Sequence, residues 1–245
     1  MRSYAIGDIH GQMDLLRAAH SRIAADRRRT GDHAAPVVHV GDLVDRGPDS
    51  RGVIEYLRRG IEARAPWVVL KGNHDRMFST FLRDPSARDP GLRNAYSYLH
   101  PAIGGVETLA SYGIDAAAGE EADVHAEALA TVPEAHRAFL ATRPALWQRG
   151  EVIFVHAGLR PGVPLDRQHE DDLVWIRGSF HDHAGDFGGL VVHGHTAIEA
   201  PTHYGNRVNI DSRAAYGGKL TAVVVEGRSI WVLEEDGRRP LLPET

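Results

Sequence analysis

The chain has 245 residues, a formal net charge of -5 and no cysteine. This length suits one domain with a sizeable core, so we predict a single domain over residues 1–245. The acidic balance argues against nucleic acid or a membrane surface as a partner, and the lack of cysteine excludes disulfides and thiolate metal sites. The sequence shows no leader pattern and no apolar run of membrane-spanning length, so we expect a cytoplasmic protein.

Strand, loop and helix alternate three times in the first third of the chain. Apolar residues 2–6, 36–40 and 66–70 each run into a polar loop, GDIHG, GDLVDRG and KGNHD, and a helical pattern follows each loop. Strands that alternate with helices favour a parallel sheet, and ligands of such sheets bind beyond the carboxyl ends of the strands. We therefore expect the three loops to lie along one edge of a sheet.

The middle of the chain has a different character. Residues 84–143 carry four prolines and read as helices and loops, so we interpret them as a helical insertion that overhangs the site and sets substrate access. Strand patterns return in EVIFVHAG, GLVVHGHT and RVNIDS. The final KLTAVVVEGRSIWVLEE alternates and turns at Glu226–Gly227, which predicts an antiparallel hairpin.

Five strand-end loops carry side chains that bind metals or transfer protons. Imidazole and carboxylate without thiolate suit divalent manganese, iron or zinc. Two such ions about 3.5–4 Å apart are a known arrangement for in-line displacement at phosphorus. The loops present Asp8 and His10, Asp42 and Asp45, Asn73 and His74, His156, and His193 and His195.

The motifs GDIHG, GDLVDRG, GNHD, VHAGL and HGHT, in this order, resemble those of the calcineurin-like metallophosphoesterases. More narrowly, the Asp-Arg-Gly of the second motif is similar to the phosphoprotein phosphatase family in its short bacterial and phage form, the group of the phage lambda phosphatase. The motifs span residues 7–196. The resemblance implies an α/β fold, namely a four-layer αββα sandwich of two mixed β-sheets flanked by helices.

The resemblance also implies a set of metal ligands. It implies two divalent ions, manganese first with iron or zinc as alternatives, that lower the pKa of a shared water and so supply hydroxide as the nucleophile. The ligands would be Asp8 and His10 at the first ion, Asp42 bridging both ions, and Asn73, His156 and His195 at the second ion.

Four further side chains would act on the substrate. By resemblance, His74 is the general acid, and Asp45 orients it and keeps it protonated more readily. Arg46 holds phosphate oxygens, because a guanidinium matches them bidentately. Arg177, from the looser match LVWIRGSF, joins it, with an ordinary surface ion pair as the alternative. Asn73 is also expected beside the substrate.

Several neighbouring residues are harder to assign. His193 precedes the glycine of HGHT and is expected to pack or to support the ligands, with a direct metal contact as the alternative. The pair His181 and His183 lies in a glycine-rich polar stretch and is expected to be solvated. Arg213 stands where relatives carry a small residue, so it could either contact an anion or narrow the mouth of the site.

Three functions are compatible with these motifs. Our leading prediction is a phosphomonoesterase that acts on phosphoserine and phosphothreonine in a protein or peptide partner. The first alternative is a symmetrical diadenosine tetraphosphate hydrolase, because Asp75 follows His74 where most protein phosphatases carry glutamate. A catalytically silent metal-dependent binding module is the third, and the presence of every metal and acid residue of the motifs argues against it.

Overall fold

The computed structural model describes residues 1–92, 96–117 and 119–244. The predicted alternation of strand and helix in the first third is confirmed. The elements there are β1 (Arg2–Ile6), α1 (Met13–Thr30), β2 (Val37–His39), α2 (Ser50–Glu62), β3 (Trp67–Val69) and α3 (Asn73–Arg83). The three strands pair in parallel, so the loops that follow them do lie along one edge of a sheet.

The middle segment folds as helices joined by loops. Its helices are α4 (Gly105–Ser111), α5 (Glu121–Thr131) and α6 (Glu134–Ala141). They pack on α2 and α3, to which they contribute buried apolar side chains such as Leu109, Val124 and Phe139. Residues 93–95 and 118 of the predicted insertion lie outside the described residues, and the division into a single domain with an insertion stays a prediction.

The last hundred residues form the remaining strands and two short helices. These elements are β4 (Leu146–Arg149), β5 (Val152–Val155), α7 (Glu170–Trp175), α8 (Gly178–His181), β6 (Leu190–His193), β7 (Thr202–His203), β8 (Arg207–Asn209), β9 (Ala222–Glu226), β10 (Ser229–Glu234) and β11 (Gly237–Leu241). The predicted hairpin is confirmed as β9 and β10. The sequence did not predict β4, β7 or β11, which are edge strands.

The strands make two mixed sheets, as predicted. The first sheet has the order β11-β10-β9-β1-β2-β3, and the second has the order β4-β5-β6-β8-β7. Each sheet contains three strands that pair in parallel, namely β1, β2 and β3 in the first sheet and β5, β6 and β8 in the second. In the first sheet they form one side, which ends at the edge strand β3, and the other strands of both sheets pair antiparallel. Two sheets flanked by helices confirm the predicted sandwich.

Three apolar clusters hold the layers together. The cluster between the sheets joins Val38 and Val40 of the first sheet to Phe154, Val192 and Val208 of the second. A second cluster seats the early helices on the first sheet, and a third seats α7 and α8 on the second sheet. Each fully buried side chain of this size stabilises the fold by about 1.5–3 kcal/mol. In the described part of the chain, no helix is long and apolar enough to cross a membrane.

Candidate metal centre and active site

The carboxyl ends of the parallel strands of both sheets meet at one place, and the predicted side chains lie there. The backbone at this place is strained. Seven non-glycine residues have positive φ in the described part of the chain, and five of them belong to the predicted site: His10, Asp42, Asp45, Arg46 and His195, with φ between 45° and 72°. Such backbone costs about 1–3 kcal/mol per residue and is concentrated at functional sites.

Two glycines of the motifs let the loops approach one another closely. A Cβ on Gly72 would lie 2.1 Å from Oδ1 of Asp42, and a Cβ on Gly194 would lie 1.8 Å from Oδ1 of Asp8. No other residue type fits at either position without moving a carboxylate of the site. Steric crowding therefore explains why glycine precedes Asn73 and His195 in the motifs.

One group of potential ligands lies around Asp42, His156 and His195. Nδ1 of His156 donates to the carbonyl of Val40 at 3.0 Å, which fixes the tautomer and leaves a lone pair on Nε2. This Nε2 lies 3.3 Å from Oδ1 of Asp42 and 2.9 Å from Oδ1 of Asn73. Nδ1 of His195 lies 2.8 Å from the same Asn73 oxygen.

These contacts bring electron-pair donors together. The lone pair of His156 and the Asn73 oxygen face each other, and a hydrogen bond between them requires a protonated His156. Burial lowers the pKa of His156, which disfavours that proton. A divalent cation satisfies such a set of donors.

A second group lies around His10, Asp42 and His74. Nδ1 of His10 donates to the carbonyl of Val44 at 2.8 Å, so its Nε2 faces Asp42, whose Oδ2 is 3.4 Å away. Burial lowers the pKa of His10 to about 3, so this nitrogen is unprotonated at neutral pH. Asp42 therefore presents one oxygen to each group, which suits a ligand that bridges two ions.

Asp42 is ionised despite its burial. Burial raises the pKa of Asp42, but the surrounding histidines outweigh it and hold that pKa well below its usual range. Asp8 differs: burial, together with Asp211 and Asp42, raises the pKa of Asp8 well above its usual range. Oδ2 of Asp8 accepts the backbone N–H of His195 at 2.9 Å, and its buried Oδ1 has no hydrogen-bond partner. A bound cation would supply the positive charge that this carboxylate lacks.

The donor set fits two divalent ions. Both groups contain only imidazole nitrogen and carboxylate oxygen, joined by the Asn73 amide oxygen, which suits borderline and hard divalent metals. The structure places the six predicted ligands together, although Asp8 stands outside the two tightest groups and His74 stands inside one. Which ions bind, and through which of these residues, stays a prediction.

His74 and Asp45 form a buried pair beside these groups. Nδ1 of His74 donates to Oδ2 of Asp45 at 2.7 Å, so Nε2 is the nitrogen left to act on a ligand. The other Asp45 oxygen accepts the hydroxyls of Tyr98 and Thr108. Two residues of the middle segment therefore hold the Asp45 carboxylate in place, and this carboxylate orients His74.

The two predicted phosphate-binding arginines line one cavity with the metal ligands. This cavity has a volume of about 350 Å³ and includes His10, Asn73 and His195 with Arg46 and Arg177 in its walls. Nη1 of Arg46 lies 3.0 Å from Nε2 of His10. Arg177 is exposed, and its Nη2 donates weakly to the carbonyl of His195 at 3.5 Å.

A larger cavity of about 590 Å³ lies along α3 and α6, away from both ligand groups. Several of its charged side chains are paired with each other: Arg76 contacts Asp89, and Lys71 contacts Glu170. We therefore assign the smaller cavity to the chemistry, because it alone of the two contains the converging ligands.

Residues that the sequence left open have defined surroundings. The oxygens of Asp75 accept the N–H groups of Gly72 and Leu43 at 2.8 and 2.9 Å, so Asp75 ties two site loops together. Nδ1 of His193 contacts the carbonyl of Gly194 at 3.0 Å, and His193 joins neither ligand group. Arg213 pairs with Glu199.

The remaining two histidines of that polar stretch also stay outside the site. The expectation that His181 and His183 are solvated was wrong, because both are partly buried, each beside a phenylalanine, Phe180 and Phe187 respectively. Neither belongs to a potential metal group in the described residues.

Four residues of the site were missed by the sequence analysis. Tyr98 and Thr108 support Asp45 from the middle segment, where no motif marks them. Asp211 and Tyr216 line the cavity. The signal for Asp211 was present, because NIDS is a further strand end with a carboxylate, of the same kind as GDIHG.

Comparisons with known proteins agree with this geometry. Two bacterial proteins named bis(5'-nucleosyl)-tetraphosphatase PrpE [asymmetrical] are similar to the chain. The one from Anoxybacillus flavithermus is 24% identical over 240 residues, with 89% of this chain and 88% of the relative covered. The one from Bacillus subtilis is 25% identical over 235 residues, with 88% and 87% covered.

The fold is shared with solved phosphatase structures. The cold-active protein-tyrosine phosphatase of a psychrophilic Shewanella species has a TM-score of 0.64 at 16% identity, with 98% of this chain and 80% of that chain covered. A sequence model described as calcineurin-like phosphoesterase matches residues 1–225, which is most of the chain. The protein therefore belongs to the calcineurin-like phosphoesterase family.

Proposed function

We propose that this chain hydrolyses the phosphoanhydride of a dinucleoside polyphosphate such as diadenosine tetraphosphate, with two divalent ions, manganese first, in the two ligand groups. The observation that carries the hydrolytic chemistry is the sharing of Asp42 between those groups, next to the pair of His74 and Asp45. Ions bound there would neutralise phosphate charge and activate water.

The protein's own side chains would bind the substrate and protonate the leaving group. Arg46 and Arg177 would bind the phosphate oxygens of the substrate in the shared cavity, and Asn73 would lie beside them. The P–O bond to the leaving group breaks as the water oxygen bonds to phosphorus. His74, which Asp45 orients through Nδ1, would act as the imidazolium and give the proton on Nε2 to the leaving oxygen, which leaves the neutral imidazole with its remaining proton on Nδ1.

Two observations support a dinucleotide substrate. The relatives whose names specify a bis(5'-nucleosyl)-tetraphosphatase align over nearly all of the chain. The reacting groups also lie in a cavity of about 350 Å³, a volume within the range of about 300–1,000 Å³ typical of small-molecule sites. The relatives' names specify asymmetrical cleavage, so we propose AMP and ATP as products in place of the two ADP of the symmetrical reaction.

Phosphoserine and phosphothreonine in a protein or peptide remain the second candidate substrate. The exposed side chain of Arg177 at the cavity is within reach of a phosphate on a protein surface. The opening motif GDIHG with the following QMDLL also resembles the phosphoprotein phosphatases. Both substrates would use the same metal, acid and arginine residues.

A direct comparison of the two substrates tests the proposal. The kcat/KM of the manganese-loaded protein is measured on diadenosine tetraphosphate and on a phosphoserine peptide, and the nucleotide products are separated by chromatography. We expect a large preference for the dinucleotide, with AMP and ATP in equal amounts. A preference for the peptide would overturn the dinucleotide proposal, and ADP as sole product would overturn asymmetrical cleavage.

A further inference from the structure

Tyr216 is an exposed aromatic side chain at the mouth of the active-site cavity. Its side chain lines the cavity, yet 58% of the residue's surface is exposed to solvent. Other large apolar residues are also exposed in the described part of the chain, but none of them lines this cavity: Met1, Leu129, Tyr204 and Leu242. The guanidinium carbons of Arg46 and Arg213 lie 5.3 and 5.9 Å from the centroid of this ring. An exposed aromatic ring beside a binding site is a common means of holding an aromatic ligand.

The turn that carries Tyr216 is held firmly. It is a single 3-10 turn, Ala214–Tyr216, between two residues in the left-handed region, Arg213 with φ of 64° and Gly217 with φ of 81°. The N–H of Gly218 donates to the carbonyl of Arg213 at 2.9 Å, which closes the turn. Because the turn is already ordered, a ligand that stacks on the ring loses little affinity to ordering it.

The ring lies next to the proposed phosphate-binding group. The guanidinium carbon of Arg46 is 5.3 Å from the centroid of the Tyr216 ring, while Nη1 of Arg46 is 3.0 Å from Nε2 of His10. Arg46 thus connects the ring to the metal groups. A phosphate bound by Arg46 would place the group esterified to it beside Tyr216.

We infer that Tyr216 is a specificity-determining residue that stacks on the nucleobase of the nucleotide whose phosphate Arg46 binds. This inference rests on the proposed dinucleotide function and adds the part of the site that recognises the base. Stacking needs only a π-face, so the subsite would accept purine bases in general, and adenine is the probe used below. The Tyr216 subsite would also favour nucleotides over phosphopeptides, because a phosphopeptide has no base to place on the ring when its phosphate is bound by Arg46.

The experiment uses the manganese-loaded protein, with hydrolysis of p-nitrophenyl phosphate as the assay and AMP or inorganic phosphate as competing inhibitors. The measured quantity is the ratio of the two inhibition constants, which isolates what the nucleoside adds to the phosphate. Four proteins are compared: the wild type, Tyr216→Ala, Tyr216→Phe and Tyr204→Ala. Tyr204 is a matched control, because it is 37% exposed and stacks on Arg207 outside the cavity.

The wild type is expected to bind AMP more tightly than phosphate, and Tyr216→Ala is expected to lose about tenfold of that preference. Tyr216→Phe should retain it, because the ring remains, and so should Tyr204→Ala. An unchanged preference in Tyr216→Ala, or no preference in the wild type, would overturn the inference. Equal weakening of AMP and phosphate in Tyr216→Ala would also overturn it, since the ring would then act only through Arg46.

This result is separable from the test of the proposed function. If the wild type fails to cleave diadenosine tetraphosphate but shows a preference for AMP that depends on Tyr216, the base subsite stands and the proposed substrate falls. If the wild type cleaves the dinucleotide and the preference does not depend on Tyr216, the subsite falls and the proposed substrate stands.

Discussion

Two regions of the molecule determine the position of the Asp45 carboxylate. The loop after β2 contains Asp45, and the middle segment around α4 supplies side chains that bond to it. The loop supplies Asp42, Asp45 and Arg46 within five residues, all with positive φ. The middle segment supplies Tyr98 and Thr108, which bind Asp45 from 53 and 63 residues away. The reactive groups of the loop belong to a motif that can be recognised in the sequence. The segment carries the two hydroxyls that hold the Asp45 carboxylate of this loop in place.

The segment also contacts Arg46. The carbonyl of Gly104 accepts the N–H of Arg46 at 3.0 Å, and Ile103 lines the cavity. Nearer the start of the segment, the buried carboxylate of Asp89 accepts the indole N–H of Trp175 at 2.8 Å, and Trp175 packs against His195. The sequence predicted that this segment overhangs the site and sets substrate access. The structure shows that the segment also holds catalytic groups in place, so deletion of the segment should impair turnover as well.

The largest effect is expected in the motif loops, from His74→Asn. Loss of a general acid lowers kcat by about 10²–10⁴-fold. The loss should be greatest for alkyl phosphates, whose leaving oxygen needs a proton, and smallest for an activated aryl phosphate. The measurement is kcat across such a leaving-group series, with metal content as the control. Two ions retained in the variant support the acid role, whereas loss of an ion would make His74 a ligand.

A smaller effect is expected on the thermal stabilisation by manganese, and it should differ between the two histidines of HGHT, His193 and His195. A divalent ion at about 100 times its dissociation constant stabilises by about 2.7 kcal/mol, which raises Tm by about 5–10 °C in a chain of this size. His195→Asn should lose much of the Tm increase that manganese produces, because His195 belongs to a ligand group. His193→Asn is the matched control, a buried histidine outside both groups. Equal responses from the two variants would refute this assignment.

The smallest effect is expected in the middle segment, from Tyr98→Phe. Removing one of the two hydroxyls on Asp45 weakens the orientation of His74, so kcat on a small aryl phosphate should fall by about threefold to tenfold. Tyr112→Phe is the matched control, since Tyr112 is buried in the same segment but bonds to His136 at 2.8 Å. If both variants keep full activity, the Tyr98 hydroxyl has no part in orienting the acid.

The motif loops could be predicted because their chemistry is local. Strand, glycine, carboxylate and histidine follow within a few residues, and the parallel pairing of neighbouring strands brings the loops to one edge. The core strands were predicted for the same reason, since each is a short apolar run. The edge strand β11 was missed because Gly237–Leu241 contains proline and charged residues and lacks that signal.

Tyr98 and Tyr216 could not be predicted in the same way. Tyr98 bonds to Asp45 across a separation of 53 residues, and nothing in SYLH marks it as different from a core tyrosine. Tyr216 owes its position to the left-handed Arg213, a conformation that the sequence does not indicate for arginine. Contacts of this kind depend on tertiary packing, which local patterns do not encode.

The most direct test of the central claim is the number of manganese ions bound per chain, with the magnetic coupling between them, in the wild type and in Asp42→Asn. If Asp42 bridges two sites, the wild type should bind two ions whose electron paramagnetic resonance shows spin coupling. Asp42→Asn should then bind at most one ion tightly and show no coupling. Two coupled ions in Asp42→Asn, or a single ion in the wild type, would contradict the shared site from which the proposed chemistry is derived.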